Sequence, residues 1–305
     1  MPFSNLPYPL PPSRGLGSHL ASLIPQRWQE TLRMVADRWG GERHLVEITT
    51  PSLSLDLGRD APARVRIALL ADFHYDPLHE AAYFQSCTTR TRDLQPDLVF
   101  LLGDFSSHDP AALPELARIL CQIDAPGGTY AILGNHDHLA GDDIITSMLE
   151  ESGIPVWRNR FQRIAVAGGS LAVVAFDSVT CRYPRFDLLD QCGPGERAIV
   201  LCHEPDIFNH TARHPNTALQ LSGHTHGGQV LLPLIGSPLL PRLGRRYVRG
   251  HHRRATSQLY VNRGLGTGHL HIRWRARPEI TLLTLENVGH EKGTSLTARP
   301  MSPSA

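Results

Sequence analysis

From residue 45 onward, short apolar runs alternate with stretches of helical periodicity. Apolar runs of four to eight residues bounded by turn residues mark strands, and apolar positions spaced by three and four mark helices. The pattern predicts strands at Leu45–Thr49, Leu53–Leu57, Val65–Ala71, Leu98–Leu102, Thr129–Leu133, Arg163–Ala167, Leu171–Phe176, Ala198–Cys202, Ala218–Ser222, Leu259–Asn262 and Ile280–Leu285. It predicts helices at His79–Leu94, Pro110–Ile123, Asp142–Glu151 and Pro205–Arg213. Strands alternating with helices argue an α/β fold. Gly168-Gly169 between two strand candidates predicts a hairpin, so part of the sheet is antiparallel.

The ends read differently. Residues 1–16 are proline-rich and form an irregular leader. Residues 18–39 carry Leu20, Ile24, Trp28, Leu32, Val35 and Trp39 at helical spacing. Such a stripe packs on the chain's own core or lies on a membrane surface. The expected organisation is a leader and amphipathic helix over 1–44, one domain over 45–289, and a disordered polar tail over 290–305.

Composition removes several function classes. The 305 residues are 41% hydrophobic and 19% charged, with a formal net charge of +1. That balance suits a globular protein and supplies no whole-chain field toward nucleic acid. Lys292 is the one lysine, so there is no P-loop lysine and no plausible Schiff base. The five cysteines form no C-x-x-C pair, which argues against a zinc ribbon or disulfide scaffold and suits a reducing compartment. No signal peptide and no membrane-length apolar run is evident. The expected location is therefore the cytoplasm, with peripheral contact at the inner membrane as the alternative.

The chemistry sits where strands end. The run 65–71 leads into Asp72-Phe73-His74, and the run 98–102 into Gly103-Asp104. The run 129–133 leads into Gly134-Asn135-His136-Asp137, 198–202 into His203, and 218–222 into Gly223-His224-Thr225-His226. In α/β sheets, ligands bind beyond the carboxyl ends of the strands. Residues i and i+2 of an extended chain point the same way, so Asp72 and His74 reach one centre, and His224 and His226 each reach a metal. Each motif alone is commonplace; all five at strand ends predict a metal site.

Imidazole, carboxylate and amide oxygen suit Mn, Fe or Zn. Asp72, His74, Asp104, Asn135, His203, His224 and His226 are too many for one tetrahedral zinc. A carboxylate can bridge two ions, and Asp104 stands in the middle of the set. Two divalent ions, two aspartates and a bridging hydroxide would leave a net positive site suited to a phosphate ester.

The order D-x-H, G-D, G-N-H-D, H, G-H-T-H resembles the calcineurin-like metallophosphoesterases over roughly residues 65–285. Ser222 to Gln229, Val261 to Gly266 and Arg277 to Ile280 resemble one bacterial phosphodiesterase branch. That branch includes UDP-2,3-diacylglucosamine hydrolases of lipid A synthesis. The resemblance implies a four-layer α/β/β/α sandwich with two mixed sheets flanked by helices. It implies that Asp72, His74, Asp104 and His226 hold one divalent ion, and Asp104, Asn135, His203 and His224 the second. His136 would be the general acid, and a metal-bridging hydroxide would attack phosphorus in line. Asp177 and Arg263 would contact substrate. Asp177-Ser178 stands where members of the branch often carry paired aspartates, and residues 103–109 are polar where relatives are usually apolar.

The implied partner is a phosphoester, nucleotide-linked or a membrane lipid. The competing reading is a non-enzymatic metal-binding scaffold on the same fold. Residues 242–277 hold ten arginines and no acid. Nucleic-acid binding is not expected from them at this net charge; some are expected to grip substrate phosphate. The apolar, proline-broken segment 231–243 is either a lipid-facing lid or a buried loop.

Overall fold

The computed structural model describes residues 41–75, 81–107, 109–238, 240–268 and 270–289. The predicted helix over 18–39 and the tail from 290 lie outside them.

Among the described residues, twelve strands form two six-stranded sheets. The first contains β1 (Glu47–Thr49), β2 (Ser52–Leu55), β3 (Arg64–Leu70), β4 (Leu98–Leu101), β5 (Thr129–Ala131) and β12 (Glu279–Asn287). Its order is β1-β12-β3-β4-β5, with β2 also on β12. The second contains β6 (Arg160–Val166), β7 (Gly169–Ala175), β8 (Ala198–Leu201), β9 (Thr217–Ser222), β10 (Gly250–Arg254) and β11 (Ser257–Val261). Its order is β10-β11-β9-β8-β7-β6. β3, β4 and β5 run parallel, as do β7, β8, β9 and β11. Both sheets are mixed, because β12 is antiparallel to β3 and the predicted β6–β7 hairpin is antiparallel.

Period two explains why the inner strands read as continuous apolar runs. Val65, Ile67 and Leu69 of β3 point into a core between the sheets, together with Phe100, Val173, Ile199 and Leu219. Ala68 and Leu70 point the other way, into a second core with Val99 and Leu101. Strands buried on both faces need apolar residues at every position.

That second core is covered by α1 (Ala81–Asp93), α2 (Leu113–Leu120) and α3 (Asn135–Glu151). In α2 the buried residues Leu113, Leu116, Ala117 and Leu120 fall at one face of a helix. Asp109 caps the turn before it by accepting the Ala111 N–H at 2.9 Å. The outer face of the second sheet packs Val174 and Val200 against Phe186, Leu188, Leu189 and Ile207. This fourth layer is thin: a 3-10 turn at Phe186–Gln191 and the one-turn α4 (Phe208–Thr211). The four-layer architecture is the one expected.

Two local expectations differ. α3 begins at Asn135, not Asp142. Its first turn spends Asn135, His136 and Asp137 on polar contacts, so no apolar stripe announces it, and Gly141 at φ 125° breaks the periodicity. β10 is not among the predicted strands; its Gly-His-His-Arg-Arg pairs with β11 at the sheet edge, where no apolar face is required.

Candidate metal centre

The parallel strands of both sheets deliver their carboxyl ends to one place. The turns there are tight. Asp72, His74, Asp104, His224 and His226 have φ between 44° and 75°. A non-glycine residue in this region costs roughly 1 kcal/mol or more and persists only when its surroundings hold it. The expectation that Asp72 and His74 sit in extended chain is therefore corrected: each turns back on itself. The surroundings hold them by hydrogen bonds. Asp72 and His74 donate their N–H groups to the Gly103 and Asp104 carbonyls, both at 2.9 Å. The His224 N–H donates to Asp72 Oδ1 at 2.9 Å. Gly134 is obligatory, because a Cβ there would collide with the Asp104 carboxylate.

These turns bring candidate ligand atoms into three overlapping groups. Asp72, His74 and His226 form one; Asp104, His203 and His224 form another; His74, Asp104 and His136 link them. Within each group the ligand atoms lie within 4.8 Å of one another. His74 Nε2 is 3.0 Å from His226 Nε2 and 3.5 Å from Asp104 Oδ2. His203 Nε2 is 3.1 Å from Asp104 Oδ2 and 3.9 Å from Asp72 Oδ1.

Second contacts set the imidazole tautomers. His203 Nδ1 bonds the Leu102 carbonyl at 2.6 Å. A carbonyl only accepts, so Nδ1 carries a proton, and Nε2, which faces Asp104, is the atom that would turn to an ion on losing its own proton. His224 is the mirror case: Nε2 donates to the Arg242 carbonyl at 2.7 Å, leaving Nδ1 as the ligand atom. Asn135 Oδ1 is buried without a hydrogen-bond partner. An orphaned buried acceptor beside converging lone pairs fits a cation. Among the described residues no cysteine belongs to the candidate ligand groups, and burial pushes the Cys202 thiol well above its ordinary range and the Cys181 thiol up to about 11.

The electrostatics agree. Burial pushes Asp72 up to about 7, against the pull of His203. Burial also opposes charge on Asp104, but His203 and His136 outweigh it and hold this carboxyl well below the usual range. Burial opposes charge on His203 as well, and Asp104 reverses that, raising it well above its ordinary value. Burial and the neighbouring His74 keep His226 neutral. Deprotonated imidazoles with adjacent carboxylates are the form in which these groups bind divalent ions, so an ion at His203 would replace the proton that Asp104 favours there.

His136 follows Asn135 in the first turn of α3. Its N–H donates to Asp104 Oδ1 at 2.9 Å, and its Nδ1 lies 3.1 Å from the Ser107 carbonyl. The ring stands edge-on to His74 with centroids 4.7 Å apart.

Two expected substrate contacts are engaged by other side chains. The Arg263 guanidinium bonds Glu279 at 3.1 Å and Glu47 at 2.9 Å. Asp177 accepts from His138 Nε2 at 2.6 Å and from Arg158 Nε at 3.2 Å.

Three residues without a role in the sequence reading are engaged in buried or half-buried polar networks around or beside the centre. Asp137 accepts the amides of Gly134, Asp104, Phe105 and Ser106 at 2.7–3.2 Å. Its sequence signal is an acid three residues into a helix, the capping-box position. His138 sits between Asp142 and Asp177, at 2.9 and 2.6 Å. Arg273 is fully buried and donates to the carbonyls of Gly266, Arg263, Ala276 and His226 at 2.6–3.2 Å. Nothing in its sequence neighbourhood distinguishes it from the other arginines.

The fold and the centre are those of a metal-dependent phosphoesterase. A family model described as calcineurin-like phosphoesterase matches residues 65–228, more than half of the chain, which belongs to that family. The chain is 32% identical to the uncharacterized metallophosphoesterase YkuE of Bacillus subtilis (strain 168), over 81% of this chain and 87% of that protein. It is 30% identical to the phosphodiesterase YaeI of Escherichia coli (strain K12), over 74% and 84% of the two chains. Among solved structures, a 5'-nucleotidase precursor from Thermus thermophilus aligns with a TM-score of 0.45 at 13% identity, covering 75% of this chain and 57% of that one. Among the described residues no helix is long and apolar enough to cross a membrane.

Proposed function

We propose that this chain is a dinuclear metal-dependent phosphodiesterase. The observation that carries the reading is Asp104, whose carboxylate joins the Asp72–His74–His226 group to the His203–His224 group. One ion would be held by Asp72, His74, Asp104 and His226. The other would be held by Asp104, Asn135, His203 and His224, with Asn135 supplying its orphaned oxygen. When bound, two divalent ions, Mn, Fe or Zn, supply the Lewis acidity that polarises a phosphoryl group and acidifies water.

The chain's own residues do the rest. Asp104 and His203 keep each other charged and oriented when no ion is present. His136 is tethered at its backbone by Asp104 and at Nδ1 by the Ser107 carbonyl. In this reading its Nε2 would hand a proton to the departing oxygen. The identity shared with YaeI favours diesters over monoesters. The narrower substrate to test is UDP-2,3-diacylglucosamine, because residues 222–229, 261–266 and 277–280 resemble the branch that includes its hydrolases.

The test is hydrolysis of a chromogenic phosphodiester by metal-stripped protein with Mn, Fe or Zn restored. Turnover should return with metal and vanish in Asp104→Ala. His136→Ala should keep its metal and lose turnover by about a hundredfold or more. Metal binding without cleavage of any mono- or diester, nor of UDP-2,3-diacylglucosamine, would favour a scaffold instead.

A further inference from the structure

We infer that the hairpin tip at 232–236, with Trp274 beside it, is a docking surface for an anionic lipid membrane. The hairpin grows directly out of the metal centre. It leaves at Gly228, whose carbonyl accepts the Ser237 hydroxyl, and the loop returns to His224 through the Arg242 carbonyl at 2.7 Å. Both feet are thus fixed to the turns that carry the ligands. Between them Leu232 and Gly236 exchange two backbone hydrogen bonds, at 2.9 and 3.0 Å, which closes a tight tip.

The tip is apolar and turned outward. Leu234 is fully exposed, at φ 67°, and Ile235 is 74% exposed. Trp274 is 40% exposed and tied to the base of the hairpin, donating to the Gln229 carbonyl and accepting from the Leu231 N–H. Leucine and isoleucine at an exposed turn, with a tryptophan one layer behind, match the depth profile of a bilayer interface.

Charge selects the partner. Arg275 follows Trp274 and is exposed, and Arg249 is bonded to the Arg275 carbonyl at 3.3 Å. Among the described residues no carboxylate pairs with either guanidinium, and residues 242–277 contain no acid. Arginines at the rim of an apolar tip attract anionic headgroups. Leu139 and Ile144 are also exposed, but they flank Asp142 and Asp143, which such a surface would repel. Glu42 lies at the same edge, its N–H donating to the Arg273 carbonyl at 3.1 Å. The apolar stripe of residues 18–39 is attached just before it.

The test is co-sedimentation of the full chain with vesicles, which needs no turnover. Phosphatidylcholine vesicles containing about one third phosphatidylglycerol should bind roughly tenfold more protein than pure phosphatidylcholine. The excess should fall as NaCl rises from about 0.05 M to about 0.3 M. Leu234→Ser with Ile235→Ser should lower binding roughly tenfold. Arg249→Gln with Arg275→Gln should lower it by about fivefold and flatten the salt dependence. Asp104→Ala should bind vesicles as well as the unmodified chain, which separates this surface from the catalytic reading. Equal binding to neutral and anionic vesicles, no binding to either, or undiminished binding by the tip variant would overturn the assignment. So would a folded tip variant that loses turnover of a soluble diester in step with vesicle binding, since the tip would then be a lid over the site.

Discussion

The Asp137 carboxylate accepts the backbone N–H of Asp104 at 2.8 Å. One oxygen takes Gly134 and Asp104, and the other takes Phe105 and Ser106. A single side chain from α3 thereby fixes the loop after β4 and the left-handed turn at Asp104. Burial pushes its pKa up to about 6, with the Asp104 charge adding to the rise. That is the cost of keeping this anchor away from water.

Asp137→Asn should be more damaging than its size suggests. An amide offers one acceptor oxygen and points a donor at amides that also donate. Losing hydrogen bonds to a charged acceptor costs roughly 1.5–3 kcal/mol each. We expect a loss of about 3 kcal/mol in urea unfolding. We also expect weaker metal retention, read as metal per chain after dialysis against a mild chelator.

His138 provides a pH signature. Burial opposes its charge, but its bond to Asp177 outweighs this and raises its pKa above 6.5. Burial likewise opposes charge on Asp177, and its bond to His138 lowers its pKa below 3.8. The carboxylate contributes stability above its unfolded pKa and loses it as pH falls through the folded value. The imidazolium contributes below about 6.5 and loses it as pH rises through the raised folded value. The bridge is therefore complete between roughly pH 4 and 6.5. His138→Gln should lower the melting temperature by about 3 °C near pH 5.5, and by less above pH 8. A pH-independent difference would refute the charged bridge.

Arg273 should not be replaceable by lysine. Its planar fork reaches the carbonyls of Gly266, Arg263, Ala276 and His226, and a lysine has three donors on a point charge. Arg273→Lys should cost about 2 kcal/mol or more of stability. Because Nη2 also lies 3.4 Å from His226 Nδ1, it should weaken metal binding as well. Arg245→Lys, at an exposed position, should change unfolding by less than about 0.5 kcal/mol.

Metal removal should destabilise the whole domain. The candidate ligands come from the ends of β3, β4, β8 and β9 and the start of α3, so an unfolded chain presents no such site. Ligand that binds only the folded state stabilises by mass action, roughly 2.7 kcal/mol at a hundredfold excess over Kd. Chelation should thus lower the melting temperature by several degrees, and added Mn or Zn should restore it. A melting temperature indifferent to chelator and metal would count against a shared centre.

Much of this molecule was legible in one dimension. The apolar runs at Val65–Ala71, Leu98–Leu102 and Ala198–Cys202 became inner strands because a strand buried on both faces has no other composition to use. Asp72, His74, Asp104, His203, His224 and His226 could be picked out as candidate ligands because chemistry in such sheets collects at strand ends, and the structure brings them together. Their type and place in the chain are local properties. Tertiary structure alone decided the rest. It seated Asp137 beneath Asp104, closed His138 between two aspartates, and engaged Arg263 with Glu47 and Glu279. It also singled out Arg273 from ten arginines and turned Leu234 outward. Those partners are separated by up to 216 residues along the chain. No periodicity records which of many chemically equivalent groups will meet across such a distance; packing of the two sheets makes that choice.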